Sequence, residues 1–576
     1  MYRIEEAQGK QKLAILLVVK TLKQWVEHSN DPITHAFKPL RLTVRGMGGT
    51  GKSFFIHVLS TVCRQVFQTN TVDMKVAPTG TAAFNIGGET CHSAFCISVN
   101  DSKQSLPTTK ERQLQERLRR TLLIMVDERS LLSSEVVGAM ECNVSKTAHG
   151  GGHYDEDWGG VPVVIFLGDD YQIPPVRIMG KGRGAFQITS SKDITRRYTE
   201  MEQNGNRVFL SMAENVITFD QNLRVSGEDR HFRDILCRLR VDNQTDADAN
   251  TMLKLDINRL TQDKRKELEN SPTTIHLFAF NHDRIELNMH KLCAMSNTTN
   301  PVAIIKARVV QFTTNTKRKN VSEFKHFKDN NLPRAATICR GCKVAIKGKN
   351  FNPEWGLFNG AIGTVQEIVY KNNESPNEGH LPCYVAVEFP SYTGYLQANG
   401  SHVWDENNPQ VIPIPIVTAR CKKGCCQIEY LPLELAFGKS IHTFQGLEAG
   451  PHKPIQTIIV DCGTILFECS NPGLLYTTIA RASTIGENGI NDSAIYFQNL
   501  QKSRYMYTAN SKNQDKQSQI IKDRQSWIEY LNKNEVTYEF TEEEENELIN
   551  WTKTQVSHRI LMNCIDQTSW RIKLTK

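Results

Sequence analysis

The sequence predicts an α/β protein: two parallel sheets covered by helices, the second interrupted by a small all-β module. Three observations predict this. Apolar strand candidates alternate with helical patterns over residues 1–300. From about 305 to 430 short strand candidates follow one another with little helix between them. The alternating texture then resumes to about 500. Strand–helix alternation indicates a parallel sheet, and near-continuous apolar strands indicate that helices cover both of its faces.

The elements run in order. LRLTV (41–45) precedes a helix from Lys52, and MKVAP (74–78) precedes TGTAAFNI. TLLIMVDE (121–128) precedes LSSEVVGAM, and VPVVIFLGD (161–169) completes the first set. NVITFD (215–220) is expected to open the second α/β domain, which continues with TIHLFAF (274–280). VAIIKARVV, KVAIKG, GTVQEIVY, YVAVEF and VIPIPIV are the strands of the β module, separated by the turn signals NPEWG, FNGAIG and NNESPNEG. LPLELAFGKSIHTFQG, TIIVDCG and LLYTTIARAS return to the second domain. The expected boundaries are 1–214 for the first domain, 215–304 and 431–500 for the second, and 305–430 for the insertion. Residues 501–576 form a polar, helical C-terminal extension, in which Thr541 and Glu544 have the spacing of a capping box.

Composition bounds the function classes. The 576 residues are 39% hydrophobic and 23% charged, ordinary for a soluble protein of several domains. A net charge of +7 permits a polyanionic partner without requiring one. The apolar run Leu13–Val19 is far shorter than the ~20 residues that span a bilayer, and no small-residue cleavage site follows it. Fifteen cysteines without a secretory signal read as reduced thiols, so an intracellular protein is expected, nuclear or mitochondrial if eukaryotic. The basic Thr316–Lys319 stretch could be a nuclear address, but a solvated loop is the preferred reading. The chain starts almost at its first motif, as a short form or a fragment would.

GMGGTGKS, Gly46 to Ser53, fits G-x-x-x-x-G-K-[ST] between a strand and a helix. Gly46, Gly48, Gly49, Thr50 and Gly51 would wrap phosphates with backbone N–H groups, and Lys52 would reach the β- and γ-phosphates of ATP. Ser53 and Asp127 would hold Mg²⁺, and Glu128 would orient and deprotonate the attacking water. In FLGDDYQIPPV (166–176) an apolar strand runs directly into acids, a glutamine and two prolines. Strand ends of such a sheet converge on one edge, where ligands bind. Gln172 would there meet the γ-phosphate or its water, with Pro174 and Pro175 stiffening the backbone beyond it.

These blocks, in this order, resemble the petite-integration-frequency (Pif) DNA helicases, superfamily one group B, and their Helitron-type relatives. The resemblance rests on GMGGTGKS, APTGTAAFNIGGETCHS, VDERS, WGGVPVVIFLGDDYQIPPV, QNLRV, LFNGAIGTV, SIHTFQG and LLYTTIARAS, over roughly residues 8–500. It implies two RecA-like P-loop domains, with residues 305–430 as an SH3-like β-barrel. It implies arginine fingers at Arg224 and Arg481, and nucleotide contacts from Gln445 and Gly446. Gln11 resembles the adenine-reading glutamine, with Gln8 in competition. Thr79, Gly80, Thr81, His92, His442 and Thr443 take DNA-contact roles by the same resemblance; Thr79 could instead cap its helix. The implied activity is ATP-driven 5′ to 3′ travel on single-stranded DNA with unwinding of forked duplex, by a chain expected to be monomeric on DNA. Genome maintenance, repair, recombination, telomere work or mobile-element replication would be its setting. The alternatives are a DNA-stimulated ATPase that moves or remodels protein–DNA complexes without strand separation, and a non-catalytic remnant. The intact catalytic set argues against the remnant.

Several features depart from this pattern or distract from it. Arg129 stands where the family has a small or aliphatic residue, and its charge is expected near the metal acids. Cys339 and Cys342, with Cys421, Cys425 and Cys426, bracket the β module and could meet around zinc, but Cys342 also opens an apolar strand where a buried thiol is ordinary. HGGGHYDED (149–157) carries metal-type residues in what reads as a mobile loop. Lys343, Lys347 and Lys349 read equally as phosphate contacts and as solvated lysines. Trp355 and Phe358 could stack on bases, although packing is the preferred reading.

Overall fold

The computed structural model describes residues 3–97, 106–147, 157–175, 199–220, 230–312, 318–321, 327, 332–372, 374, 379–394, 408, 410–421, 425–486, 490–512 and 519–554. The chain divides into two compact units: residues 1–244, 465–480 and 507–576, and residues 245–464 and 481–506. Among the described residues no helix is long and apolar enough to cross a membrane.

The first unit is built on a six-stranded parallel sheet. Its strands are β1 (Leu40–Gly46), β2 (Asp73–Ala77), β3 (Glu89–Thr90), β4 (Leu123–Val126), β5 (Val163–Gly168) and β6 (Val216–Phe219), in the order β3-β2-β4-β5-β1-β6. Every residue of β1, β4 and β5 is buried; β4 and β5 accordingly read as continuous apolar runs, whereas β1 alternates leucine and valine with the buried Arg41, Thr43 and Arg45. Helices Gly9–Asn30 and Lys52–Phe67 supply Ile15, Leu22, Phe55 and Leu59 to one core layer, and helices Ser134–Thr147 and Glu200–Met212 supply Val137, Met140, Val208 and Phe209 to the other.

Three expectations about boundaries change here. Val216–Phe219 does not open the second domain: it pairs in parallel with β1, Thr43 opposite Val216, and closes the first sheet. Helix Leu474–Ile479 also belongs to the first unit. So do the described residues of the C-terminal extension from Tyr507 onward. The buried Trp527 and Leu531 of helix Gln519–Lys533 enter the core, and Leu548 of helix Glu542–Thr552 enters it beside Trp551, whose ring meets Phe67 edge-on at 6.4 Å. The expected capping box of the last helix forms, with Thr541 Oγ1 accepting from Glu544 N and Glu544 Oε2 from Thr541 N.

The WGG element before β5 has a local reason. Trp158, Gly159 and Gly160 all adopt positive φ (59°, 54° and 76°), a left-handed turn that glycine permits and tryptophan rarely adopts. The indole is 1% exposed and meets Phe166 edge-on at 6.0 Å, so its burial holds the strained backbone at the entrance to β5.

The second unit contains a four-stranded parallel sheet, Gly438–Ser440, Thr274–Phe278, Thr457–Asp461 and Ile495–Phe497 in that order. Its insertion is all-β, as expected. Val411–Pro415, Tyr384–Glu388, Ile362–Val369, Lys343–Ile346 and Leu433–Leu435 form one antiparallel sheet, while Arg318–Val321, Arg308–Phe312, Cys426–Tyr430 and Val417–Arg420 form another. Its assignment as SH3-like rests on the resemblance alone.

Candidate nucleotide site

Sheet order assembles the site of the first unit. β4, β5 and β1 are neighbours, so the loops leaving their C-terminal ends share one edge: Asp127–Glu128 after β4, Asp169–Gln172 after β5, and the glycine-rich loop after β1. Asp127 extends the ladder, its N–H donating to Val76 O at 2.9 Å.

The loop's glycines act for different reasons. Gly49 and Gly51 have φ of 87° and 82°, where a side chain is strained. A Cβ on Gly46 would come within 2.4 Å of Thr50 Oγ1. Around Gly48 a Cβ would meet nothing within 4 Å, so the fold leaves open space beside that backbone. Lys52 Nζ donates to Gly46 O at 2.7 Å and Met47 O at 2.9 Å, folding back on its own loop where phosphate oxygens would compete for it. Ser53, beside it, is exposed. Gln11 is buried and its Nε2 donates to Thr50 O at 2.8 Å. The glutamine thus holds the loop's shape, with one N–H committed there rather than to a base.

Opposite the loop, Asp127 is 7% exposed. Burial, with the adjacent Glu128 charge, pushes its carboxyl up to about 7 against the pull of Lys52. Glu128 adopts φ 50° and ψ 43°, a left-handed conformation rare for such a residue, and its Oε2 is buried without a partner. Burial pulls the Lys52 ammonium down, opposed by Asp169, Glu128 and Asp127.

Gln172 is 3% exposed with an unpartnered Oε1, on a backbone pinned by its own N–H to Asp169 O at 3.2 Å and by Ile173 N–H to Thr477 Oγ1 at 3.0 Å. The two acids before it face different partners. Asp169 Oδ1 accepts from Arg240 Nε at 3.0 Å and Nη2 at 2.9 Å, and Oδ2 from Tyr476 Oη at 2.6 Å. The Arg240 guanidinium also lies over the Tyr171 ring, 4.3 Å from its centroid. Asp170 accepts from Arg45 Nε at 3.0 Å, Trp527 Nε1 at 3.3 Å and Arg129 Nη2.

That last contact corrects the expectation for Arg129. Its side chain does not bring charge to the metal acids. It is 3% exposed and paired with Asp170. A Cβ on Gly168 would come within 2.9 Å of Arg129 Cγ, so the glycine gives the arginine its path. The C-terminal extension reinforces the same segment: Arg524 Nη1 donates to Tyr171 O at 3.4 Å and Nη2 to Asp242 at 3.1 Å. Sequence reasoning missed Arg240, Tyr476, Arg524 and Trp527. The only local signal was an acid pair whose charge required partners.

The remaining expected residues fall elsewhere. Arg224 lies outside the described residues, as does nearly all of 149–157. Arg481 belongs to the second unit and is 7% exposed. Ala449 exchanges backbone bonds with Arg481 and Ser483, at 2.8 and 2.9 Å, which joins the ARAS segment to the HTFQGL segment within that unit. Gln445 is 1% exposed with both amide atoms unpartnered, and Gly446 follows at φ 87°. His442 Nε2 is likewise buried and unpartnered, and burial holds the ring below its ordinary value. Thr443 is exposed and bonded to Ser440 O at 2.9 Å. Thr79 caps its helix, accepting from Ala82 N at 3.2 Å, Gly80 and Thr81 are buried, and His92 is held down by burial.

In the insertion, Lys343 is neither solvated nor free for phosphate: it is 8% exposed and donates to Thr274 O at 2.6 Å and Ser271 O at 3.0 Å. Lys347 pairs with Glu434 and Lys349 is exposed. Phe358 is buried, as the packing reading expects, whereas Trp355 is 40% exposed against Tyr392.

The PIF1-like helicase family model matches residues 31–215, the stretch carrying the P-loop, both acid motifs and WGG. The ATP-dependent DNA helicase PIF1 of Saccharomyces cerevisiae is 33% identical over 134 residues, 23% of this chain and 15% of the yeast protein. The chain therefore matches well under a fifth of that relative's length. The ATP-dependent DNA helicase Pif1 of Campylobacter jejuni is 21% identical over 452 residues, 76% of this chain and 86% of that one. The crystal structure of Pif1 helicase from Candida albicans superimposes with a TM-score of 0.60 at 18% identity, over 91% of this chain and 99% of that one, which shows a shared fold. The match to the PIF1-like helicase family is thus confined to residues 31–215, while the fold that the chain shares with a Pif1 helicase extends over most of its length.

Proposed function

We propose that the chain is an ATP-dependent DNA helicase that travels on single-stranded DNA and separates forked duplex, with 5′ to 3′ direction taken from the family resemblance. One observation carries the reading: β4, β5 and β1 are adjacent, so Lys52, Asp127, Glu128 and Gln172 share one sheet edge beside an open Gly48 backbone. The oxygen donors there suit a hard cation: the exposed Ser53 hydroxyl, the Asp127 carboxylate and the orphaned Glu128 Oε2. Ser53 and Asp127 would hold Mg²⁺, which when bound neutralises charge on the phosphate oxygens. Lys52 exchanges its loop carbonyls for phosphate oxygens, Glu128 takes the proton of the attacking water, and Gln172 contacts the γ-phosphate or that water.

By the family resemblance Arg224 and Arg481 are the proposed arginine fingers, an effect of about 10³–10⁵ in rate in related chemistry. DNA as the partner is supported by the relatives' names and by the motif order. Thr79, Gly80, Thr81, His92, His442 and Thr443 are the proposed DNA-contact positions. The test is ATP-driven release of a labelled strand from 5′- and 3′-tailed duplexes. Release from the 5′-tailed substrate alone, abolished by Lys52→Ala, is the expected result. ATP consumption without release identifies a translocating or remodelling ATPase instead. Undiminished turnover in Lys52→Ala overturns the site.

A further inference from the structure

Three cysteines of the second unit converge at the end of one hairpin. Strands Val417–Arg420 and Cys426–Tyr430 are antiparallel with Arg420 opposite Gln427, so Cys421 and Cys426 form the next rung, and Cys421 N–H donates to Cys426 O at 3.0 Å. The returning chain brings in Cys425. Its Sγ lies 3.5 Å from that of Cys421 and 3.8 Å from that of Cys426, and all three sulfurs lie within 4.8 Å of one another. Cys339 and Cys342 do not join them, which corrects the expectation that the two ends of the β module could meet around one ion.

The spacing is informative. Four sulfurs about 2.3 Å from a tetrahedral zinc ion lie about 3.8 Å from each other. The 3.5 and 3.8 Å separations sit near that edge length. A disulfide needs two sulfurs at about 2.05 Å and leaves a third thiol over. The setting also suits a cation. Cys421 and Cys426 are buried against Val309, Ile428 and Tyr430, where thiolate charge without compensation is costly, while Cys425 is exposed and gives access from solvent. The other group of potential ligands among the described residues, His282, Asp283 and Glu286, is a short run at one helix start with an exposed histidine, and nothing second points to a ligand there.

We propose that Cys421, Cys425 and Cys426 form a three-thiolate site for a thiophilic d¹⁰ cation, with zinc as the reference ion and the fourth position taken by water or a small exogenous ligand. Soft sulfur donors separate this site from the hard oxygen donors beside the P-loop, so the two sites do not compete for one metal. Each ion bound forms three metal–sulfur bonds and releases three thiol protons to the buffer, with no change of oxidation state. The bound ion staples together the ends of the two strands of the hairpin. The inference does not rest on the helicase reading.

The test uses the full chain, reduced and stripped by chelator, then titrated with Co²⁺ as optical probe and displaced with Zn²⁺. One equivalent should give thiolate-to-cobalt charge-transfer bands and tetrahedral d–d bands, abolished by Zn²⁺. Cys421→Ser and Cys425→Ser should each weaken zinc binding by at least tenfold, while Cys342→Ser keeps wild-type affinity. Cys425 is exposed, so its variant remains informative if Cys421→Ser misfolds, and far-UV circular dichroism with a urea melt verifies the fold of each. Absence of the bands, their persistence in Cys425→Ser, or an intact disulfide within the triad after purification without reductant would overturn the proposal.

Discussion

Asp170→Ala tests the buried charge cluster behind the DDYQ segment. The carboxylate serves Arg45, Arg129 and the Trp527 indole at once. The Arg45 and Arg129 side chains are 4% and 3% exposed, and that of Asp170 is 6% exposed. Alanine would leave two buried guanidiniums short of their counter-charge and one buried N–H short of its acceptor. Removing one partner of a buried ion pair costs about 3–5 kcal/mol, and an orphaned donor adds about 1–3 kcal/mol. Arg45 retains Asn532 Oδ1 at 2.7 Å, which limits the loss, so about 4 kcal/mol is expected. With an m-value near ~3 kcal/mol per molar, the urea midpoint should fall by about 1 M or more. The assay is urea denaturation followed by tryptophan fluorescence, since Trp25, Trp158, Trp527 and Trp551 all belong to the first unit.

The double variant Arg129→Met/Asp170→Ala should recover part of the loss, because it removes one stranded cation along with the carboxylate. The pH dependence has a defined sign. Burial raises the Asp170 carboxyl, but Arg129 and Arg45 outweigh it and hold it below its ordinary value. The cluster's stabilisation is therefore full above about pH 4 and is lost as pH falls through the lower folded value. Asp170→Asn should flatten that acid limb. A midpoint for Asp170→Ala within the ~0.5 kcal/mol range of surface substitutions would show that this carboxylate does not hold the two arginines.

Other outcomes separate ligand space from fold. Gly48→Ala should leave the nucleotide-free melting temperature within error, because its added Cβ meets nothing, yet weaken ATP binding measured by calorimetry; equal affinity would mean the open space is not the phosphate cradle. Gly51→Ala should destabilise the protein even without nucleotide, by about 1 kcal/mol or more, because its φ is 82°. Trp527→Ala should cost about 3–5 kcal/mol in the same urea assay, since the ring is 1% exposed in the core; a loss below about 1 kcal/mol would mean that the C-terminal helix is not docked there.

The P-loop, the acid pair and the glutamine were legible because their chemistry is local. A glycine at positive φ, a lysine beside it and a carboxylate at a strand's end are each written within a few positions. The strand–helix alternation and the all-β texture of the insertion were legible for the same reason. Val216–Phe219 was placed in the wrong domain because strand pattern reports burial and not the pairing partner, and β1 lies more than 160 residues away. Arg129 was misread because the nearest charges in sequence are Asp127 and Glu128, whereas its partner Asp170 stands 41 positions on.

The sequence alone therefore determined the residue types that meet at the candidate nucleotide site, the alternation that makes a covered parallel sheet, and the family resemblance. Only the tertiary structure decided that the C-terminal helices complete the first unit, that Arg129 and Arg45 neutralise a buried Asp170, that Lys343 is interior, and that one cysteine pair stays apart from the triad. The physical reason is that hydrogen-bonding type and backbone freedom are properties of a residue and its neighbours. Compensation of a buried charge depends on which distant groups the fold brings within a few ångströms.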